Sequence, residues 1–297
     1  MKRTKNIETA ALGMLTAALL AGCSAETDQP APQPCSIQVS AALEPSTKAT
    51  DITFETGDRF GLYVTERQGT EPGSLAGGRY LDNEPCLQTE TGVELAPKNY
   101  PNNRVDFYAY YPYTEGGAAP GSSVLPFSVK TDQSADKAYT LSDLMHASAA
   151  DVAASGSPVR LLFRHSLARI DIRLAAGAGF DGPALLAGAT LKARDLPTSC
   201  ELNLETGAVS GQNSPADMVP KGNGVAVNGE EVSVMSLVVV PQTIAPGKEL
   251  FEITADGTVL VYVQEQEKEL APGSRTLFEI TLVRGAALPA ARIISLP

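Results

Sequence analysis

An all-β protein of two sandwiches is what this sequence predicts, and three observations carry that prediction. From Cys35 onward, short alternating runs are broken by Gly, Pro, Asn and Asp, the pattern of half-buried strands joined by turns. The run Leu167–Leu174 is the clearest. Ala168, Ile170, Ile172 and Leu174 fall on one face, and Arg169, Asp171 and Arg173 on the other, so one face is buried and one is wet. Finally, Gly177, Gly179, Asp181, Gly182 and Pro183 cluster and divide the strands into two sets. The domains are therefore expected over residues 36–178 and 184–297.

The first strands follow from the same alternation. Ser36–Ala42 puts Ile37, Val39 and Ala41 on one face, and Arg59–Thr65 does so with Phe60, Leu62 and Val64. Val105–Tyr111 sets Val105, Phe107, Ala109 and Tyr111 against Tyr108 and Tyr110. A short helical turn is expected at Leu141–Ala149. The second set comprises Ala189–Ala193, Cys200–Leu204, Val232–Val240, Phe251–Ala255, Thr258–Gln264 and Thr276–Val283. Asp256-Gly257 lies between two alternating runs, a strong two-residue hairpin signal. Glu205-Thr206-Gly207 reads as another turn, and Ser210–Asn228, rich in Gly, Asn and Pro, as an exposed loop.

The N-terminus reads as an export signal. Lys2, Arg3 and Lys5 precede an apolar run, Thr9–Leu20, that is too short to span a bilayer but suits a signal peptide. It ends in Leu20-Ala21-Gly22-Cys23, which resembles the bacterial lipobox, in which the cysteine is acylated and becomes the first residue. An ordinary cleaved signal followed by a chance cysteine is the plainer alternative. Residues 1–22 are thus the expected lipoprotein signal, and residues 23–35, polar and Pro-rich, a flexible tether. Several acyl chains would hold the protein stably to a membrane, where a single chain would be marginal.

Composition excludes several function classes. The formal net charge of the 297 residues is −11, and removal of residues 1–22 takes it to −13; such a chain repels a phosphate backbone, so no nucleic-acid partner is expected. There is no tryptophan and there are only two histidines, few parts for a His-based catalytic or metal site. Once Cys23 is lipidated, Cys35, Cys86 and Cys200 remain, without CxxC or Cys/His spacing, and their pairing stays open.

Candidate chemistry is sparse. Ser134-Ala135-Asp136-Lys137 fits the S-x-x-K nucleophile pattern, but Ser142-Asp143-Leu144 and Lys130-Thr131-Asp132 miss its companion elements. His146 and His165 have no carboxylate motif at ligand spacing, and a zinc site needs three or four ligands. The acidic run Gln264–Leu270 reads as a solvated turn. Tyr108, Tyr110, Tyr111 and Tyr113 could form a platform stacking glycans or host ligands, or belong to a strand packed on both faces. No catalytic residue, cofactor or metal is expected.

Four stretches together resemble the Bacteroidetes fimbrillin family, in particular its Mfa-like members. The first is Thr47-Lys48-Ala49-Thr50 with Phe54-Glu55-Thr56-Gly57-Asp58 and Gly61-Leu62-Tyr63; the second is Val105–Tyr113. The third runs through Asp132-Gln133-Ser134, Ser142–Met145 and Leu162–Ile170. The last joins Val240-Pro241-Gln242 to Ala271-Pro272-Gly273 and the Phe278–Val283 strand. The resemblance implies two tandem transthyretin-like β-sandwich domains, a structural subunit of a cell-surface pilus and no enzyme activity. It implies export as a lipoprotein, clipping by a trypsin-like protease that frees a first strand, and filling of the resulting groove by a strand of the next subunit.

On this chain the matching pieces are the first strand Ser36–Ala42 and a scissile bond after Lys48, where the family more often has Arg. Arg59, the next basic residue, opens a strand and should be less accessible. The candidate donor is the tail after Val283, with Ala291, Ile293 and Ser295 alternating against Arg292, Ile294 and Leu296 between Pro289 and Pro297. Pairing of that tail within its own domain is the alternative. The expected partners are other pilus subunits, the outer membrane through Cys23, and a host or glycan ligand.

Overall fold

A computed structural model describes residues 35–44, 54–179, 186, 188–222, 232–284 and 292–295. The first half supplies β1 (Val39–Leu43), β2 (Arg59–Glu66), β3 (Leu81–Thr89), β4 (Gly92–Glu94), β5 (Val105–Tyr111), β6 (Val124–Ser128), α1 (Asp136–Thr140), β7 (Met145–Val152) and β8 (Val159–His165). Seven of these strands form one sheet in the order β1-β8-β7-β5-β2-β3-β4. Alternation explains its packing. Phe60, Leu62 and Val64 of β2 join Val105, Phe107 and Ala109 of β5 in one apolar cluster. Tyr63, Tyr108 and Tyr110 point the other way into a second cluster. The middle of this sheet is therefore buried on both faces, and its strands read as nearly continuous apolar runs.

The second half supplies β9 (Ala168–Ala176), β10 (Thr190–Asn203), β11 (Val209–Met218), β12 (Val232–Val239), β13 (Gln242–Ile244), β14 (Glu249–Ala255), β15 (Thr258–Val263), β16 (Lys268–Leu270), β17 (Arg275–Val283) and β18 (Arg292–Ser295). One sheet runs β11-β10-β14-β15, with β6 also pairing β10; another runs β12-β9-β17-β18, and β13 pairs β16. Their inner faces share one core, in which the Phe251 and Phe278 rings meet edge-on at 5.1 Å, a favourable aromatic geometry. Asp256 and Gly257 both have positive φ, 48° and 67°, and join β14 to β15 as the type I′ hairpin their sequence announces.

The sheets do not divide at residues 178–184. Of the strands before that segment, β9 pairs with β12 and β17, and β6 pairs with β10. The reason lies in β9, whose Ile170, Ile172 and Leu174 are buried in the same cluster as Phe251 and Phe278. The chain leaves the seven-stranded sheet at Ser166-Leu167, between β8 and β9.

Two local expectations need correction. The helix occupies Asp136–Thr140, and most of the stretch expected to be a helical turn is β7. There Met145 and Ala147 are buried while Ser148 is exposed, a period of two that the alanines conceal. Within the expected loop Ser210–Asn228, residues up to Met218 form β11, which pairs with β10 through two irregularities of register. Its side chains are mostly exposed, so main-chain bonding rather than apolar alternation makes it a strand.

Candidate functional site

The strand expected to be exchangeable is β1. It pairs in parallel with β8 in the register Val39↔Val159 to Leu43↔Phe163. Parallel pairing needs a long connection rather than a hairpin, and the chain spends residues 44–158 on it. Ile37 and Val39 are buried, with Ala41 and Leu43 packed against the same cluster as Leu161 and Phe163. Ser40 and Ala42, on the alternate face, are half-buried.

β1 is held on its other flank too. Ile37 N–H donates to Lys98 O at 2.7 Å, and Tyr100 N–H donates to Cys35 O at 2.8 Å. These bonds lie just past β4, so residues 35–43 bridge the two ends of the seven-stranded sheet. Between the two flanks a groove of about 390 Å³ is lined by Val39, Ala41, Gln88, Val93, Leu95 and Pro158. Full burial of a Val, Leu or Ile side chain is worth roughly 1.5–3 kcal/mol, so β1 contributes a large part of what a domain has in hand. Its removal would uncover an apolar trough beside β8.

An aromatic group closes one end of that trough. The Phe54 ring meets Tyr111 at 5.5 Å and Phe163 at 5.0 Å, and Phe60 lies 5.2 Å from Phe163. Phe54 follows Lys48 in the chain, so this plug belongs to the part retained after a cut there. Lys48 and Cys23 lie outside the described residues. Arg59 opens β2, and its carbonyl accepts the N–H of Tyr113 at 2.9 Å, which ties the bond after it into paired backbone.

The tail is placed as β18. Arg292–Ser295 pairs antiparallel with Val283–Ile280 of β17, at the edge of its own chain's sheet; Ala291 and Leu296 lie outside the described residues. In the tyrosine stretch Tyr108, Tyr110 and Tyr111 are buried and Tyr113 is half-buried, and the Tyr110 hydroxyl donates to Asn83 Oδ1 at 2.8 Å, so three of the four rings belong to a strand packed on both faces.

The remaining candidates lie apart from one another and bond to their own surroundings. Ser134 is exposed in a turn, its N–H donating to Asp132 Oδ1 at 2.9 Å. His146 donates Nε2–H to Leu204 O at 2.7 Å, and burial pushes its pKa below 6.5. His165 Nδ1–H donates to Asp143 Oδ1 at 2.9 Å. Burial acts to lower the His165 pKa, but the hydrogen bond and charge of Asp143 outweigh it and raise the pKa above 6.5. The sequence offered no motif for this pair, because the carboxylate lies 22 residues away. Cys35, Cys86 and Cys200 are free thiols; burial pushes Cys200 up to about 11 and Cys86 higher still. Among the described residues, no three His, Cys, Asp or Glu side chains are grouped to hold a metal.

The architecture recurs in known proteins. A Bacteroides uniformis protein named "Putative fimbrium subunit Fim1C" is 26% identical over 279 residues, covering 91% of this chain and 88% of that one. A solved structure of a "putative cell adhesion protein" from Bacteroides uniformis superposes with a TM-score of 0.64 at 21% identity, over 90% of this chain and 98% of that one. A similarly described protein from Bacteroides ovatus gives 0.62 at 20% identity, over 89% and 96%. These two share the fold. The fimbrillin-like family model matches residues 47–294, so β2 to β17 and all but the last residue of β18 fall within it, and the chain belongs to the fimbrillin-like family.

Proposed function

We propose that this chain is a structural subunit of a cell-surface fimbrium that assembles by exchange of β-strands. Its family is a structural one rather than an enzyme family, and its relative over nine-tenths of the chain carries the name of a fimbrium subunit. The observation that carries the assembly step is the placement of β1. It is a parallel strand at the end of the seven-stranded sheet, preceding Lys48 in the chain, and its alternate side chains pack against the core.

In this reading the chain is exported as a lipoprotein acylated at Cys23 and anchored in the outer membrane. A cut after Lys48 then frees the lipid and β1 together, since both precede it. An extended segment of a neighbouring subunit enters the trough, pairs with β8 through its main chain and places alternate side chains where Ile37, Val39, Ala41 and Leu43 were. Such a head-to-tail contact does not close on itself and so builds a fibre. The tail Ala291–Leu296, released from β17, is the segment this chain would in turn donate to a neighbouring subunit. Adhesion follows from display on the fibre. A stand-alone glycan-binding role gains nothing from the buried tyrosines.

The test is the N-terminus and intact mass of the protein sheared from the cell surface. A start at Ala49 without lipid is the expected result. Fibres whose subunits all begin at acylated Cys23 would remove the proteolytic step and, with it, the release of β1.

A further inference from the structure

The trough that β1 fills has a definite side-chain requirement, and the tail of this chain does not meet it. Four alternating residues enter the core side, Ile37 just ahead of β1 and Val39, Ala41 and Leu43 within it. They are large, large, small and large, and all are apolar. The outward residues Ser36, Gln38, Ser40 and Ala42 are small or polar. A replacement strand must supply the same four-residue alternation, whichever direction it runs.

From Ala286 onward the tail can be laid against these positions in two frames. In one frame the inward residues come from Ala286, Leu288, Ala290, Arg292, Ile294 and Leu296. Every run of four in that set includes Arg292, whose guanidinium would sit unpaired among Leu161, Phe163 and the Phe54 plug. An unpaired buried charge is among the costliest substitutions a core can receive. In the other frame the inward residues come from Ala287, Pro289, Ala291, Ile293, Ser295 and Pro297. Each run of four there includes a proline, which cannot complete the ladder, and offers only one large aliphatic side chain for three large positions. The tail also has a place already, as β18 with Ile293 opposite Leu282 and Ser295 opposite Ile280.

Resting on the strand-exchange reading above, we infer that the trough vacated by β1 takes a strand from a different subunit and not the tail of a second copy of this chain. That strand carries large aliphatic side chains at the first, second and fourth of four alternating positions and a small one at the third. The mismatch is a device of specificity. Arg292 penalises self-pairing in one frame, and Pro289 with the small residues penalises it in the other. The chain is then a position in a mixed fibre rather than the repeating unit of a homopolymer.

Peptide competition tests this directly. The mature chain is cut after Lys48 while folded and mixed with a peptide of residues 35–44, a peptide of residues 284–297, or the second peptide with Arg292→Leu. The expected result is saturable binding of the 35–44 peptide with a rise in Tm, and binding of the tail peptide weaker by about 100-fold, the scale of a cavity or buried-charge penalty. Arg292→Leu should recover part of that loss, and the cut chain alone should sediment as a monomer. Binding of the tail within tenfold of the 35–44 peptide, or polymers formed by the cut chain alone, would overturn the inference while leaving strand exchange intact. Binding of neither peptide to a cut chain that keeps its native spectrum would overturn both.

Should the cut chain unfold, the uncut chain gives the answer. Residues 36–43 are replaced by residues 289–296 in one variant and by residues 288–295 in another, so that both frames are sampled. A third variant keeps Ile37, Val39, Ala41 and Leu43 but changes the outward residues to other polar ones. The first two should lose Tm by many degrees and the third should hold it. A native Tm in either of the first two would show that the tail fits the trough, and the inference would fail.

Discussion

Gly61 of β2 lies directly opposite Tyr110 of β5, and the Tyr110 ring occupies the space that a side chain on Gly61 would need. A Cβ built on Gly61 would stand 2.2 Å from Tyr110 Cε1 and 2.7 Å from Asn83 Oδ1. The ring cannot swing aside, because its hydroxyl bonds Asn83 and Thr114 and the residue is fully buried. Gly61→Ala should therefore destabilise the protein by about 3 kcal/mol, the upper end of ordinary overpacking. The urea midpoint reads this out, and an unchanged midpoint would mean that the ring does not rest on Gly61.

Asp171 gives a second test. Period-two alternation places it on the outer face of β9, yet it is only 1% exposed. Arg169 Nε lies 2.8 Å from its Oδ1, Ser236 Oγ donates to the same oxygen at 2.6 Å, and Arg275 bonds its Oδ2. Because Arg275 and Arg169 keep contact with water, removing the carboxylate costs less than breaking a fully buried pair. Asp171→Asn is expected to lose about 2–3 kcal/mol, seen as a lower denaturation midpoint with an unchanged slope. A loss below about 0.5 kcal/mol would reduce the cluster to surface ion pairing.

These two residues show where sequence reading stopped. The alternation in Leu167–Leu174 was legible because its inner face is wholly apolar, but the outer face hides a carboxylate buried between Arg169 of its own strand, Ser236 of β12 and Arg275 of β17. Tyr108 and Tyr110 were legibly opposite Phe107 and Ala109, but a strand between two cores has no wet face to betray which reading holds. β11 left no trace because main-chain bonds alone recruit it, and β7 read as a helical turn because alanine suits both states. The first strand could be read from Ile37, Val39 and Ala41; that it closes the sheet against residues 98–100 could not, since those contacts are local to neither stretch.

The two histidines should give stability limbs of opposite sign. His165 has its pKa raised above 6.5 in the folded protein, so the native state holds the proton more tightly than the unfolded chain. Its contribution is complete below pH 6.5 and disappears as pH rises through the folded pKa. His146 has its pKa lowered, so the unfolded state binds the extra proton, and stability falls as pH drops from 6.5 toward the folded value. Unfolding free energy measured from pH 5 to 9 should thus decline on both sides of a maximum near neutrality. His165→Gln should flatten the alkaline limb alone and His146→Gln the acid limb alone. A variant that lowers the whole curve without changing its shape would remove that histidine as the source of the limb.

Val39 tests how firmly β1 is seated. Its side chain is 5% exposed beside Leu161 and Phe163, and its strand is otherwise joined by main-chain bonds to β8 and to residues 98–100. Val39→Asp puts an unpaired carboxylate into that trough, which a folded chain can relieve only by releasing β1 to water or by protonating the group. Release is the smaller rearrangement, because β1 contacts the rest of the molecule as one strand. Hydrogen exchange should therefore quicken in residues 39–43 and along Val159–Phe163 of β8, while β9, β14 and β17 keep their protection. Loss of protection throughout would mean that β1 is inseparable from the core, and a strand that cannot leave without unfolding the subunit could not be exchanged.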